Sequence, residues 1–228
     1  KANYNNANKT IVLEGNIRLS NRIGDIGNIN TLKDIKDIQN SDVNKTDKEM
    51  SGTFEKVYFN LDERNLYATD GFDLKYDEVG LKGKNIVLNE ITQSFKVTDD
   101  VKFTYQDYIF DVNYIEKEPN SDIINVYGQI KGGNPIYSVL ADKGEYNIND
   151  KKVRIFGNVD ITSTKGENLK LDNFIYSSET KEMDMYGNKI KYTSPDNNLE
   201  AEYIHYNTIT KEVTTDKPFD SWNAKGEG

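Results

Sequence analysis

Apolar and polar residues alternate along much of this chain, most clearly in the segment VRIFGNVDI at 153–161. A further alternating run, L-x-L, follows at 169–171. A period of two is typical of an extended strand that buries one face and leaves the other in water. The segments NIND, STKGEN, SSETKE and TSPDNN interrupt the alternation and have the composition of turns. The pattern therefore predicts long β-strands that run antiparallel and connect through short turns.

The predicted strands recur in a repeat of about thirty residues. Gly157 and Gly187 lie 30 positions apart, and so do Tyr146, Tyr176 and Tyr206. The same template fits earlier parts of the chain, because 59–74 aligns with 146–161 without a gap. Two strands per repeat predict an all-β meander that curls into an elongated barrel, a sandwich or an open trough.

The Gly-Asn pair inside the repeat has alternating residues on both sides, as in IFGNVDI at 155–161. The glycine is therefore predicted to lie within a strand, where it indicates a bulge, a bend or a close backbone approach. Gly128 in YGQI occupies the equivalent place one repeat earlier. We expect these glycines to set the curl of the sheet at the same level in successive repeats.

The alternation divides the chain into three parts. Residues 1–10 are polar and are expected to form a tether behind an anchor or signal; residues 11–217 form one repetitive β-domain; and residues 218–228 form a flexible tail. Residues 21–50 break the strand pattern, with an isoleucine or leucine at every third position from 23 to 38. They are predicted to be an insertion, either a loop with a short helix capped by Thr31 and Asp34 or a docking segment for a partner.

The composition limits the function classes. Only 36% of the 228 residues are hydrophobic and the mean hydropathy is −0.77, but 15 Tyr and 9 Phe argue against disorder. A net charge of −9 makes a nucleic-acid partner unexpected. The absence of Cys excludes disulfides and thiolate chemistry. No apolar run approaches the ~18 residues that a membrane-spanning helix needs.

Residues that could carry catalysis or hold a metal are few. The single His205 lies in a strand-like segment, and the acidic pairs Asp62/Glu63 and Asp99/Asp100 are expected at or beside turns, where solvated charge explains them. No nucleotide-binding or hydrolase motif is present. Trp222 lies in a polar segment, either as an interface anchor or as an exposed ring. The sequence thus predicts a protein without a catalytic site, cofactor or metal.

The segment ADKGEYNINDKKVRIFGNVDITSTKGENLKLDNFIYSSETKEMDMYGNKIKYTSPDNNLEAEYIHY at 141–206 resembles the OstA-like periplasmic lipopolysaccharide-transport family, which includes LptA and LptC. The family pattern is a tyrosine, a polar turn, an apolar-x-Gly-Asn-Val strand and a second apolar strand. The matching positions are Ala141, Tyr146, Gly157, Asn158, Val159, Gly166, Leu169, Phe174 and Tyr176. The 21–50 insertion is not part of that pattern.

The resemblance implies a twisted antiparallel β-jellyroll, open along one side, that shelters the acyl chains of lipopolysaccharide or a related lipid. It also implies a periplasmic, non-enzymatic protein that joins other jellyroll proteins of a transport bridge, or itself, edge to edge and head to tail. LptC-like members carry an N-terminal membrane anchor and LptA-like members do not; the sequence leaves both open.

The inward-facing apolar residues are then the candidate lining of a lipid groove. They could equally fill an ordinary core. The candidate lining positions are Leu61, Leu66, Ala68, Phe72, Leu74, Ile86, Leu88, Val153, Ile155, Val159, Ile161, Leu169, Leu171, Phe174, Tyr176, Met183, Met185, Ile190, Tyr192, Leu199 and Tyr203.

Two other functions stay open at this point. The chain could be a surface-exposed β-repeat protein that binds a glycan or a protein through its outer face and has a filled core. Less favoured is a carbohydrate-active enzyme, which would need two carboxylates facing each other across a cleft. A groove requires a partly open interior, whereas a binding scaffold requires a packed one, so the interior separates the first two functions.

Overall fold

The structure is a computed structural model that describes residues 1–21, 50–76 and 79–223. Within these ranges all regular structure is β-strand, and every described strand pairing is antiparallel. No helix in the described residues is long and apolar enough to cross a membrane. The all-β, antiparallel prediction is confirmed. The predicted insertion with its short helix, near 21–50, lies almost entirely outside the described residues.

The chain divides into two compact units. The N-terminal unit comprises Lys1–Gln106 and Glu116–Ser121, and the C-terminal unit comprises Asp107–Ile115 and Asp122–Gly228. The sequence pattern alone suggested one repetitive domain, because the same alternation runs through both units.

The N-terminal unit is a meander in which successive strands pair. Strands β5 and β6 lie end to end, and both pair with β4 on one side and with β7 on the other. Its strands are β1 (Ala2–Asn5), β2 (Thr10–Asn21), β3 (Met50–Asn60), β4 (Asn65–Tyr76), β5 (Val79–Gly83), β6 (Asn85–Asn89) and β7 (Ser94–Tyr105). Strand β1 lies in the segment for which a tether was expected, and it pairs with β2 from Ala2↔Leu13 to Asn5↔Thr10.

The C-terminal unit also contains a meander of long strands. Its central strands β13 to β16 pair in chain order, so each thirty-residue repeat contributes two strands, as predicted. The strands are β8 (Tyr108–Lys117, its last two residues in the N-terminal unit), β9 (Ile123–Tyr127), β10 (Ile130–Gly133), β11 (Tyr137–Ala141), β12 (Lys143–Asn147), β13 (Lys152–Ser163), β14 (Asn168–Ser177), β15 (Glu182–Thr193), β16 (Asn197–Asn207), β17 (Val213–Thr214) and β18 (Phe219–Asn223).

Several strands of the C-terminal unit are interrupted. Strands β11 and β12 lie end to end, and both pair with β13. On their other side, β11 pairs with β10 and β12 pairs with β9. Strands β17 and β18 both pair with β16. Strand β18 occupies much of the segment for which a flexible tail was expected, because Phe219 to Asn223 continue the ladder against Ala201 to Asn197.

The Gly-Asn pairs form β-bulges opposite acidic residues. Gly157 and Asn158 both have positive φ, +76° and 48°, and together they oppose the single residue Asp172 on β14. The Asn158 Nδ2 donates to Asp142 Oδ2 on the other side at 2.7 Å. A bulge of this kind bends the strand and increases its twist. The prediction that the glycine lies within a strand is therefore confirmed at Gly157.

The equivalent bulge at Gly187 has a different geometry. Gly187 to Lys189 oppose the single residue Glu202 on β16, and Gly187 has no positive φ. Here the backbone N–H of Asn188 donates to Asp172 Oδ2 at 2.9 Å. In the N-terminal unit Glu55 similarly opposes Gly15–Asn16 on one side and Asp70–Gly71 on the other. An acid on the adjacent strand thus accompanies each of these bulges.

The turns at one end of each unit are also repeated. In the turn from Asn147 to Lys151, the Asn147 Oδ1 accepts hydrogen bonds from two backbone N–H groups, and Lys151 has a φ of 48°. Related turns that end in a left-handed residue occupy Asn60–Arg64, Ser177–Lys181 and Asn207–Lys211.

Neighbouring turns are joined by backbone hydrogen bonds. The N–H of Ser178 donates to the Lys151 carbonyl at 3.1 Å, and the N–H of Thr208 donates to the Lys181 carbonyl at 2.9 Å. The N–H of Glu90 bonds in the same way to the Arg64 carbonyl, at 3.0 Å. The ladder of the sheet therefore continues through the turns, and this end of each unit is held in register.

Candidate functional site

The inward face of the C-terminal unit is built of apolar rows that cross β13 to β16. The row nearest the Ser163–Glu167 turn, which we call the rim row, has directly paired members on successive strands. It consists of Val139, Ile161, Leu169, Tyr192 and Leu199. Apart from Val139, all of its side chains are only half-buried. This end of the inward face therefore presents apolar surface that the protein itself does not cover.

The next row, which we call the waist row, is closed. Val159 pairs with Leu171, and Ile190 pairs with Ala201. All four are buried, and Ile190 is 0% exposed. The waist row lies directly beside the bulges, where the strands bend most. It forms a packed core.

Beyond the waist row the face opens again toward the repeated turns. Met185 and Ile204 are buried, but their row partners Ile155 and Phe174 are half-buried. The last row is half-buried throughout and consists of Tyr146, Val153, Tyr176, Met183 and Tyr206. The C-terminal unit thus has a packed waist between two ends that are partly open.

The N-terminal unit is packed closely at its centre. Its central row contains Val57, Ala68, Ile86 and Val97, all of which are buried, with Val97 at 0% exposure. The rings of Phe54 and Phe72 stack with centroids 6.3 Å apart. The two units therefore share a strand pattern and differ in how completely their inward faces are covered.

The candidate lining positions divide accordingly. Those that are buried are Leu66, Ala68, Phe72, Leu74, Ile86, Val159, Leu171, Met185 and Ile190. Those that are half-buried are Leu61 in the turn after β3, Leu88, Val153, Ile155, Ile161, Leu169, Phe174, Tyr176, Met183, Tyr192 and Leu199. Inward positions that the sequence reasoning missed include Val139, Tyr146, Ile204 and Tyr206; the thirty-residue spacing of the tyrosines was the signal for two of them.

Tyr203 lies on the other face of the sheet. It pairs with Tyr186, at a ring distance of 4.9 Å, while its neighbour Ile204 pairs with the inward Met185. Counting by twos from Ala201 places Tyr203 inward, but the bulge opposite Glu202 shifts the alternation by one residue. Because of that shift we leave Tyr203 out of the lining.

The outward cluster around Tyr203 is polar and hydrogen-bonded. The Tyr203 hydroxyl donates to Asp184 Oδ1 at 2.8 Å, and His205 Nδ1 lies 2.9 Å from the same oxygen. Burial, with the hydrogen bond to the Asp184 carboxylate, raises the pKa of Tyr203 well above its usual value. Across residues 1–21, 50–76 and 79–223, no group of three or more His, Cys, Asp or Glu side chains could hold a metal ion.

A pocket lies at the end of the rim row, where β15, β16 and β18 meet. Its volume is about 440 Å³, and its lining consists of Tyr192, Asn197, Asn198, Leu199, Ser221, Trp222 and Asn223. Tyr192 and Leu199 belong to the rim row, so the pocket continues from the apolar face. The hydroxyl of Tyr192 donates to Glu167 Oε1 at 3.3 Å. Burial, reinforced by the negative charge of Glu167, raises the pKa of Tyr192.

The match to a known protein family falls on the same unit. The family described as "Lipopolysaccharide-assembly, LptC-related" matches residues 111–227, which is just over half of the chain and most of the C-terminal unit. No curated protein matches the chain significantly.

Among solved structures, the chain is similar to LptH, the LptA-homologous periplasmic component of the lipopolysaccharide transport device of Pseudomonas aeruginosa. The identity is 13% and the TM-score is 0.28; the match covers 63% of this chain and 93% of LptH. The extent of the family match, with the antiparallel repeats that carry it, shows that the chain belongs to the LptC-related family of lipopolysaccharide-assembly proteins.

Proposed function

We propose that this protein is a non-enzymatic lipopolysaccharide carrier of the periplasm, whose C-terminal unit shelters acyl chains on its inward face. The observation that carries the proposal is the half-buried rim row, in which Ile161, Leu169 and Leu199 remain partly uncovered. A scaffold that binds partners only through its outer face has no need for an uncovered apolar interior.

The energetics of a carrier suit this face. Each CH₂ group hidden from water contributes about 0.8 kcal/mol, so exposing one acyl chain of about twelve carbons costs on the order of 10 kcal/mol. The open rows are aliphatic and aromatic along their length and contain no charged side chain. Uniform apolar contact shelters a chain without fixing it at one position. This property suits a protein that must pass its lipid on.

The proposal assigns different tasks to the two units. The rim row of the C-terminal unit holds lipid, and the waist row is the packed floor beside it. The N-terminal unit, whose central row is buried from Val57 to Val97, acts as a folded adaptor. Its ion pair of Arg64 and Glu90, with Nη2 and Oε2 2.7 Å apart and the two side chains 15% and 7% exposed, fixes two adjacent turns and supports that role.

We further propose that the protein joins neighbours in a transport bridge through its terminal strands. Strand β18 is short and follows β16 at the end of the strand order of the C-terminal unit. Its Phe219 is 55% exposed. An exposed edge strand is a template for a strand from another chain.

A photo-crosslinking experiment tests the lipid proposal. A photoreactive amino acid replaces Leu169, which belongs to the rim row, or Lys170, its exposed neighbour on the outer face. The protein is irradiated with purified lipopolysaccharide and the adducts are separated by gel electrophoresis. We expect adducts from position 169 and none above background from position 170. A third variant, at the half-buried Leu88 of the N-terminal unit, is expected to give none.

The controls also identify the competing function. Adducts from position 170 alone would replace the proposal with outer-face binding of a glycan or another partner. Equal adducts from 88 and 169 would refute the division of tasks between the units and leave the carrier role standing.

A further inference from the structure

The pocket at the end of the rim row differs in chemistry from the face it continues. Cross-strand pairing places Leu199 opposite Ser221, Asn198 opposite Trp222, and Asn197 opposite Asn223. The pocket therefore lies at the first residues of β16, and successive members belong to opposite faces of that strand. Tyr192 on β15 contributes the remaining wall.

The lining combines aromatic rings with neutral hydrogen-bonding groups. Five of its seven residues carry an uncharged amide or hydroxyl, namely Tyr192, Asn197, Asn198, Ser221 and Asn223. Tyr192 and Trp222 are its two aromatic residues. No lining residue is charged, and the Tyr192 hydroxyl donates to an anion, Glu167. A phosphate is therefore a poor ligand for this pocket.

We propose that this pocket binds a saccharide. A pyranose ring has an apolar face of C–H groups, which stacks on an indole, and a rim of hydroxyls, which both donate and accept hydrogen bonds. Amide side chains offer two donors and one acceptor oxygen each, so they match those hydroxyls. A volume of about 440 Å³ lies within the range of roughly 300–1,000 Å³ that is typical of small-molecule sites.

The position of the pocket indicates which saccharide it serves. Because the pocket begins where the rim row ends, one amphipathic molecule can occupy both, with its acyl chains on Leu169 and Leu199 and its sugar against Trp222. This assignment to a glycolipid head group rests on the proposed function. The saccharide chemistry of the pocket does not, because it follows from the lining alone.

The chain contains a single tryptophan, Trp222, so its fluorescence reports on the pocket directly. The full-length chain is titrated with the oligosaccharide released from lipopolysaccharide by complete deacylation, and separately with intact lipopolysaccharide. We expect a saturable change of Trp222 emission in both titrations. Saturation-transfer NMR on the deacylated oligosaccharide provides a second readout that does not depend on the tryptophan.

Matched asparagine variants separate the pocket from the rest of the surface. Asn198→Leu removes an amide from the lining, whereas Asn149→Leu makes the same change at an exposed turn outside the pocket. We expect Asn198→Leu to weaken oligosaccharide binding about five- to tenfold, as the loss of one or two hydrogen bonds predicts. Asn149→Leu leaves the affinity unchanged. If Asn198→Leu alters the circular dichroism spectrum, Ser221→Ala replaces it, with a smaller expected loss of oligosaccharide affinity.

The outcomes distinguish the two proposals. If intact lipopolysaccharide binds more tightly than the deacylated oligosaccharide, the pocket is a site for a glycolipid head group. If the two bind equally, the pocket is a site for a free glycan. Either result supports a saccharide site. The proposal is overturned if the oligosaccharide gives neither an emission change nor NMR saturation transfer up to about 10 mM, a range that includes weak binding. Loss of the Leu169 adducts with retained oligosaccharide binding would instead overturn the acyl-chain proposal alone.

Discussion

The contrast between the packed waist row and the open rim row can be measured with one substitution made at two places. Ile190 and Ile161 are both inward-facing isoleucines of the C-terminal unit, on β15 and β13. Ile190 is 0% exposed, whereas Ile161 is half-buried. Replacing each by alanine removes the same three carbon atoms, so any difference in effect comes from the surroundings.

The expected magnitudes follow from those surroundings. At Ile190 the three carbons contribute about 0.8 kcal/mol each, or roughly 2.4 kcal/mol. The enclosed cavity left behind adds to this, for a total of about 3–4 kcal/mol. At Ile161 part of the side chain already contacts water and no enclosed cavity forms, so we expect about 1 kcal/mol.

Urea unfolding provides the assay. Trp222 fluorescence follows the C-terminal unit, which contains it, and far-UV circular dichroism follows both units. Ile190→Ala should lower the urea midpoint of the Trp222 transition strongly, and Ile161→Ala only slightly, both with an unchanged slope. In the crosslinking experiment the order reverses, because Ile161→Ala removes lipid contact and is expected to reduce the adducts at position 169. Equal losses of stability at the two positions would refute the distinction between a packed waist and an open rim.

Two further predictions concern the bulges and the terminal strand. Asp172→Ala removes the acceptor of the Asn188 N–H, 2.9 Å away, and should lower the free energy of unfolding in urea by about 1 kcal/mol. Asp172→Asn keeps an oxygen at that place and should retain most of the stability. Equal losses of stability in the two variants would show that this hydrogen bond is dispensable. Phe219→Lys places a charge on β18 and should raise the Kd of self-association about tenfold in analytical ultracentrifugation. Ile91→Lys makes a similar change at a turn residue that is 71% exposed and should leave this Kd unchanged. If neither variant alters self-association, β18 is not the joining edge.

Much of the architecture could be predicted from the sequence, because it depends on local pattern. The period of two in residues 153–161 is reproduced in β13, and the spacing of 30 between Tyr176 and Tyr206 places them in one row of the structure. The spacing of Lys151, Lys181 and Lys211, which end successive turns, carried the same information and could have revealed the ladder of turns.

The sequence was less informative about the face on which a residue lies, since that depends on the neighbouring strand. Gly157 and Gly187 share the Gly-Asn motif, yet one forms a two-residue bulge with positive φ and the other a three-residue bulge without it. The second bulge shifts the alternation on β16 and places Tyr203 outward. Nothing in AEYIHY alone indicates that shift.

The degree of packing in each unit depends on pairs of residues that alternation cannot identify. In the N-terminal unit, glycines stand opposite or beside large inward side chains: a Cβ at Gly83 would lie 3.1 Å from the ring of Phe72 and 3.0 Å from Val97. The large side chains fill the space that the glycines leave, and the interior closes. In the C-terminal unit Gly132 pairs with the buried Val139, whereas no glycine pairs with Ile161, Leu169, Tyr192 or Leu199, which are half-buried. The same two-strand repeat therefore gives a closed unit where glycines and large side chains pair across strands, and an open apolar face where they do not.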